Sequence, residues 1–309
     1  MPKKRVHNTL QKNVGNPFFS EFRRVFIILI KRAIGCSNSP TEVIRIAPAA
    51  LYKGKALMNQ GEKTIQINEE LSLVQSENGL TFGTDAFLLA AFAEGGGKKI
   101  CADLGSGTGV IPLLCVQKNK FSRVFAVEIQ EKFVSLIERN AKQNAFTERV
   151  IPICADVRSL RSSDIGFEVD AVTANPPYMK LDSGKRNEYD EKFIARHEVC
   201  GDINDFCACA YRLLRHGGKF YSVWRPDRLC DLIFSLRSNR LEPKKITFVH
   251  ATADSKPSMV LIQSTKGASS GAAITRPLIL HDSREAALQN ILSHDASVIY
   301  ETCSFEQFK

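Results

Sequence analysis

The sequence predicts an α/β fold: a mostly parallel seven-stranded sheet with helices on both faces and an antiparallel strand at one edge. Three observations predict it. From residue 65 onward, short apolar runs alternate with helix-length segments, the order that a parallel sheet with crossover helices requires. A glycine-rich turn, Asp103-Leu104-Gly105-Ser106-Gly107-Thr108-Gly109, follows the first buried run. The last two apolar runs, Lys245–Val249 and Ser258–Gln263, stand close enough in sequence to pair antiparallel.

The elements follow in order. Leu71–Gln75 and Leu80–Phe82 flank Ser76-Glu77-Asn78-Gly79, a hairpin signal. Thr84–Ala93 is an apolar helix with Thr84 as its expected N-cap, broken by Gly95-Gly96-Gly97. Ile100–Leu104 is a buried strand, Val110–Lys118 a helix, and Arg123–Val127 a strand ending at Glu128. In Gln130–Asn144 the residues Phe133, Leu136, Ile137 and Ala141 share one helical face. Val150–Cys154 is a strand with Asp156 just after it, and Val169–Ala174 is the next strand. A polar loop, Lys180–Ile194, separates it from a helix over Asn204–Leu214, a strand over Lys219–Trp224 and a helix over Arg228–Ser238. The domains expected are a basic extension at 1–64, a catalytic domain at 65–282 and a C-terminal tail at 283–309.

The chain has 309 residues and a formal charge of +9. Residues 1–64 hold 12 Lys/Arg against 3 Asp/Glu, and the remainder holds 30 of each. The basic character therefore belongs to the N-terminal segment. Four readings of that segment stand side by side: a basic arm for RNA phosphates, an organelle transit peptide, upstream sequence preceding a true start at Met58, or a disordered tail with one marginal helix. The third follows from Lys53-Gly54-Lys55, whose codons can spell a purine-rich ribosome-binding site. If the arm binds RNA, affinity falls steeply with salt and drops on deletion of residues 1–57. The apolar run Val25–Ile30 is far short of the ~20 residues a bilayer needs, so no membrane span is expected. The nine cysteines form no CxxC pair, so no metal site is expected. An odd number of cysteines without a signal peptide fits a reducing cytoplasm.

Two motifs carry the chemistry. In the first, Gly105, Gly107 and Gly109 let the backbone turn sharply and approach a ligand. Val110 stands where the dinucleotide G-x-G-x-x-G pattern places a glycine. Asp103, which opens the loop, repels a pyrophosphate but suits a cationic amino-acid group. Glu128, 19 positions past Gly109, is placed to accept hydrogen bonds from ribose hydroxyls. Asp156 is placed to accept from the exocyclic amine of an adenine, or else to cap a helix. Together they favour S-adenosylmethionine over NAD. The second motif is Asn175-Pro176-Pro177-Tyr178, at the end of a strand. The Asn175 side-chain oxygen and the Pro176 carbonyl can each accept one N–H of a planar, weakly nucleophilic amine. The prolines fix the turn and cannot donate. Tyr178 can stack on a planar target.

With these motifs on view, the chain resembles class I S-adenosylmethionine-dependent methyltransferases of the amino-group-modifying branch, which have a Rossmann-like fold. Phe82-Gly83-Thr84-Asp85, the Asn-Pro-Pro-Tyr-Met-Lys stretch, Ala195-Arg196-His197-Glu198 and Phe248-Val249-His250 together resemble bacterial tRNA(Val) adenine-37 N6-methyltransferases. The resemblance runs from about 66 to 282. It implies that Thr84 and Asp85 line the cofactor pocket, that Asn175 and Tyr178 form the target site, and that Arg196, His197 and Glu198 flank its entrance. His197 also has a reading as a satisfied structural histidine. Lys180, Lys185, Arg186 and Arg225 are phosphate-contact candidates. The implied partner is tRNA, whose single-stranded loop bases splay out at less cost than duplex bases.

Two other functions share parts of this pattern. An N5-glutamine methyltransferase of a translation factor uses the same tetrad, because a side-chain amide is also planar; such enzymes usually carry a helical N-terminal domain that residues 1–80 do not suggest. A non-catalytic RNA-binding protein of the same fold does not need Asp103, Glu128, Asp156 and Asn175 together. A DNA adenine methyltransferase needs a base-reading domain, and only 131 residues follow Tyr178.

Overall fold

A computed structural model describes residues 45–46, 61–76, 83–177 and 201–308, all within the unit Ile44–Lys309. Two short strands come first, β1 (Arg45–Ile46) and β2 (Glu62–Gln66), then β3 (Ser72–Ser76) and helix α1 (Thr84–Phe92). The nucleotide-binding half follows as β4 (Ile100–Leu104), α2 (Val110–Gln117), β5 (Arg123–Glu128), α3 (Glu131–Gln143) and β6 (Val150–Cys154). Then come α4 (Ser162–Ile165), β7 (Val169–Ala174), α5 (Ile203–Leu213), β8 (Leu214–Trp224) and α6 (Leu229–Ser238). The chain closes with β9 (Leu241–His250), β10 (Pro257–Lys266), β11 (Ala273–Ile274), β12 (Leu278–Ile279), α7 (Arg284–Leu288) and α8 (His294–Thr302).

The sheet order is β1-β6-β5-β4-β7-β8-β10-β9-β11, with β12 also on β9. The seven strands anticipated from sequence form its centre. From β6 through β8 every pairing is parallel. β10 runs antiparallel between β8 and β9, and β1 lies antiparallel on β6 at the far edge. Alternation along the strands divides the core between two faces. Val124 and Ala126 of β5 join α1, α2 and α3 on one side; Phe125 and Val127 join α5 and α6 on the other. This two-sided burial is why these strands read as continuous apolar runs.

Two local expectations are corrected, and one hairpin appears that the sequence reading did not anticipate. Ser72–Ser76 pairs with Glu62–Gln66 through a turn in which Asn68 Oδ1 accepts from Glu70 N and Leu71 N at 3.1 and 3.0 Å. Leu80–Phe82 lies outside the described residues. Thr84 is the first helical residue of α1, and Gly83 occupies the N-cap without a side-chain cap. Residues 283–308, expected as a tail, include α7 and α8 and bury Ile299, Phe305 and Phe308 in the core shared with α1.

Helix α1 ends on a half-buried cation. Lys120 Nζ donates to the carbonyls of Ala90, Ala91 and Ala93 at 2.7, 2.7 and 2.9 Å, satisfying groups that a helix end leaves open. Burial pushes this ammonium below its ordinary value. The described cysteines are free thiols, and burial raises those of Cys101, Cys115, Cys207 and Cys209. Among the described residues no helix is long and apolar enough to cross a membrane.

Candidate active site

Strand order reverses at β4, which has β5 on one side and β7 on the other. Ligands of open α/β sheets bind at such a point, beyond the carboxyl ends of the strands. Register puts the two motifs together there. Leu104 of β4 pairs with Ala174 of β7, so Gly105 and Asn175 emerge side by side.

The loop is built by its own polar groups. Gly105 N and Ser106 N donate to Val127 O at 2.9 Å each, tying the turn to β5. Gly107 has a φ of +54° and open space where a Cβ would stand, so its backbone can approach a ligand closely. Asp103 does not reach that ligand space. It is fully buried and accepts from Thr173 Oγ1 at 2.6 Å and Ser106 Oγ at 2.7 Å, joining β4 to β7 and to the loop. Burial pushes its carboxyl up to about 7 against the pull of those two hydroxyls, and the Glu128 charge adds to the rise. Asp103 therefore shapes the loop, where the sequence reading matched it to a cationic amino-acid group of the ligand.

Glu128 ends β5 as expected. Its Oε2 accepts from Gly107 N at 3.0 Å and its Oε1 from Gln130 N at 3.0 Å. Each carboxylate oxygen keeps further acceptor capacity for a ribose hydroxyl. Burial raises this carboxyl above its ordinary value, opposed by those backbone donors. Asp156 follows β6 in a turn of its own, accepting from Arg158 N at 2.8 Å and Arg158 Nε at 2.9 Å. Burial opposes its ionisation, but the Arg158 guanidinium and amide outweigh burial and hold the carboxyl below the usual range. The alternative reading of Asp156 as a helix cap is replaced by this local turn.

The Asn175 amide is bonded at one end and open at the other. Its Nδ2 donates to Asp85 Oδ2 at 2.9 Å, while its Oδ1 is buried and finds no hydrogen-bond partner among the described residues. A buried acceptor left open in this way marks a place for a donor that the described residues do not supply. Asp85 and Thr84, on the first turn of α1, line a cavity of about 580 Å³. Its other walls include Trp224, Arg225 and Met259. Arg225 sits at this cavity with its fork on Asp227, at 3.0 and 2.8 Å. Tyr178, Lys180, Lys185, Arg186, Arg196 and His197 lie outside the described residues.

Sequence reading missed two supports of the site. Asn140 of α3 accepts from Val74 N at 2.7 Å and donates to Val74 O and Thr108 O, both at 3.0 Å, stitching the hairpin to the glycine loop. Tyr300 of α8 stacks on Phe87 of α1, with centroids 4.3 Å apart. Asn140 lies in a recognised helix but bonds across 66 residues of sequence, and Tyr300 lies in a segment that carries no motif.

The residues present fit S-adenosylmethionine: an open glycine loop, an acid at the end of β5 and an unpartnered acceptor at the end of β7. The comparisons agree. A methyltransferase small domain family model matches residues 66–233, more than half of the chain. A tRNA1(Val) (adenine(37)-N6)-methyltransferase of Porphyromonas gingivalis is 28% identical over 199 residues, covering 62% of this chain and 77% of that protein. One of the same name from Aliivibrio salmonicida is 26% identical over 206 residues, covering 67% and 84%. A crystal structure of a predicted O-methyltransferase from Agrobacterium tumefaciens superposes with a TM-score of 0.52 at 22% identity, covering 68% of this chain and 98% of that one, and shares the fold. Strand order, loop and matched span converge, and the chain belongs to the methyltransferase small domain family, as an S-adenosylmethionine-dependent class I methyltransferase.

Proposed function

We propose that this methyltransferase modifies N6 of an adenine in tRNA, namely adenine 37 of tRNA(Val). The observation that carries the reading is the oriented amide of Asn175, with its donor held by Asp85 and its acceptor open. An exocyclic adenine amine has its lone pair delocalised into the ring and is a poor nucleophile. Asn175 Oδ1 accepts one of its N–H bonds and the Pro176 carbonyl accepts the other. The nitrogen is drawn towards tetrahedral geometry and its lone pair is freed. S-adenosylmethionine, when bound, supplies the electrophilic methyl group. Transfer would leave the sulfur as a neutral thioether, and the proton of the methylated amine would pass from the Asn175 and Pro176 acceptors to solvent. Positioning and local electrostatics supply the rate in this reading, with Asn175 and Pro176 acting as hydrogen-bond acceptors.

The relatives that carry the tRNA1(Val) adenine-37 name support the finer target. In this reading Tyr178 stacks on the target base, Lys180, Lys185, Arg186 and Arg225 contact phosphates, and Arg196 and His197 flank the entrance. Thr84, Asp103, Gly105, Gly107, Gly109, Glu128 and Asp156 build or line the cofactor pocket. The test is methylation of an unmodified tRNA(Val) transcript beside a twin with guanine at position 37. The expected result is label in the first alone; equal label in both contradicts adenine 37 as the target.

A further inference from the structure

We propose that Asp85 is a positioning residue for the methyl-transfer step, setting which end of the Asn175 amide faces the target amine. This rests on the reading of Asn175 as the acceptor of the target N–H. The two ends of an asparagine amide are nearly equal in shape, so packing alone does not choose between them. Charge and hydrogen bonding do. An ionised carboxylate only accepts, and Asp85 Oδ2 takes Asn175 Nδ2 at 2.9 Å. The Oδ1 end is thereby turned away and stands buried and open. In the reversed orientation two acceptors face each other at Asp85, and an N–H group confronts the N–H of the substrate.

The carboxylate is itself held. Its other oxygen, Oδ1, accepts from Ala86 N at 2.9 Å. The turn that carries it is braced by α8, where Tyr300 stacks on Phe87 within 5° of parallel. Asp85 thus acts through Asn175, whereas the family resemblance places it among the residues lining the cofactor pocket.

The test compares Asp85→Asn, Asp85→Glu, Asn175→Ala and the Asp85→Asn/Asn175→Ala double variant. Each is assayed for kcat at saturating cofactor and tRNA, and for S-adenosylhomocysteine affinity by calorimetry. Asp85→Asn keeps shape but can present its own N–H, and its kcat falls about 10- to 100-fold, the scale of one charge-assisted hydrogen bond. Its S-adenosylhomocysteine affinity stays within about threefold, which also reports a folded pocket. Asp85→Glu, which can only accept, retains more activity than Asp85→Asn. In the double variant, loss of Asp85 adds nothing to loss of Asn175.

The proposal is overturned if Asp85→Asn keeps kcat within twofold, if Asp85→Asn exceeds Asp85→Glu, or if Asp85→Asn loses cofactor affinity at unchanged kcat. Full activity in Asn175→Ala overturns the reading of the tetrad itself. Loss of activity in Asn175→Ala beside a fully active Asp85→Asn overturns only the role of Asp85.

Discussion

At the scale of single residues, the acids at the strand ends divide by burial. Asp103, Glu128 and Asp156 read alike in sequence, each an acid at a βα turn. In the fold Asp103 is fully enclosed between Thr173 and Ser106, and Asp156 lies against Arg158. Asp103 carries a pH signature. Between its ordinary value of 3.8 and about 7 it keeps a proton in the folded chain that it releases in the unfolded chain. Folding then takes up a proton, and the contribution of this residue to stability falls as pH rises through that window. Asp103→Asn resembles the protonated carboxyl and cannot ionise. Urea unfolding of the two proteins is expected to shift in favour of the variant as pH rises from about 4 to about 7; a pH-independent difference contradicts this. The sequence located Asp103 correctly but not its depth, because depth depends on Thr173, 70 residues away.

At the scale of elements, β4, β5, β6, β7 and the amphipathic α3 were legible because their apolar patterns are local and strong. The N-terminal hairpin was less so. Ser76-Glu77-Asn78-Gly79 is a stronger turn signal than Asn68-Glu69-Glu70-Leu71, yet the latter joins β2 to β3. Asn68 makes that turn with its side chain, without Gly or Pro. The hairpin is fixed to α3 by the two-pronged Arg139–Glu62 pair at 2.7 Å and by Asn140 and Asn144. Asn140 also holds Thr108 of the cofactor loop, so the hairpin and the loop share one side chain. Asn140→Ala removes buried bonds at both ends and is expected to cost about 2–4 kcal/mol of stability. It is also expected to weaken S-adenosylhomocysteine binding by about tenfold with kcat at saturation little changed. Calorimetry and steady-state kinetics check this; unchanged affinity contradicts the link between hairpin and loop.

For the whole molecule, the site is a product of topology. The register of β4 on β7 brings a loop near residue 105 to a tetrad near residue 175, and the sheet reversal at β4 opens the crevice between them. That much follows from alternating strands and was legible early. The bracing of α1 by α8 was not, because the apolar residues Ile299, Phe305 and Phe308 carry no motif and acquire meaning only once packed. Charge is also a property of the whole: the excess of +9 lies within residues 1–64, so it does not identify what Asn175 and the cavity beside it bind. Substrate identity rests on the site. Its most direct measurement is methyl transfer from labelled S-adenosylmethionine to total tRNA and to total protein in parallel, followed by nucleoside analysis. The account predicts label in tRNA, recovered as N6-methyladenosine; label confined to protein, as methylated glutamine, contradicts it.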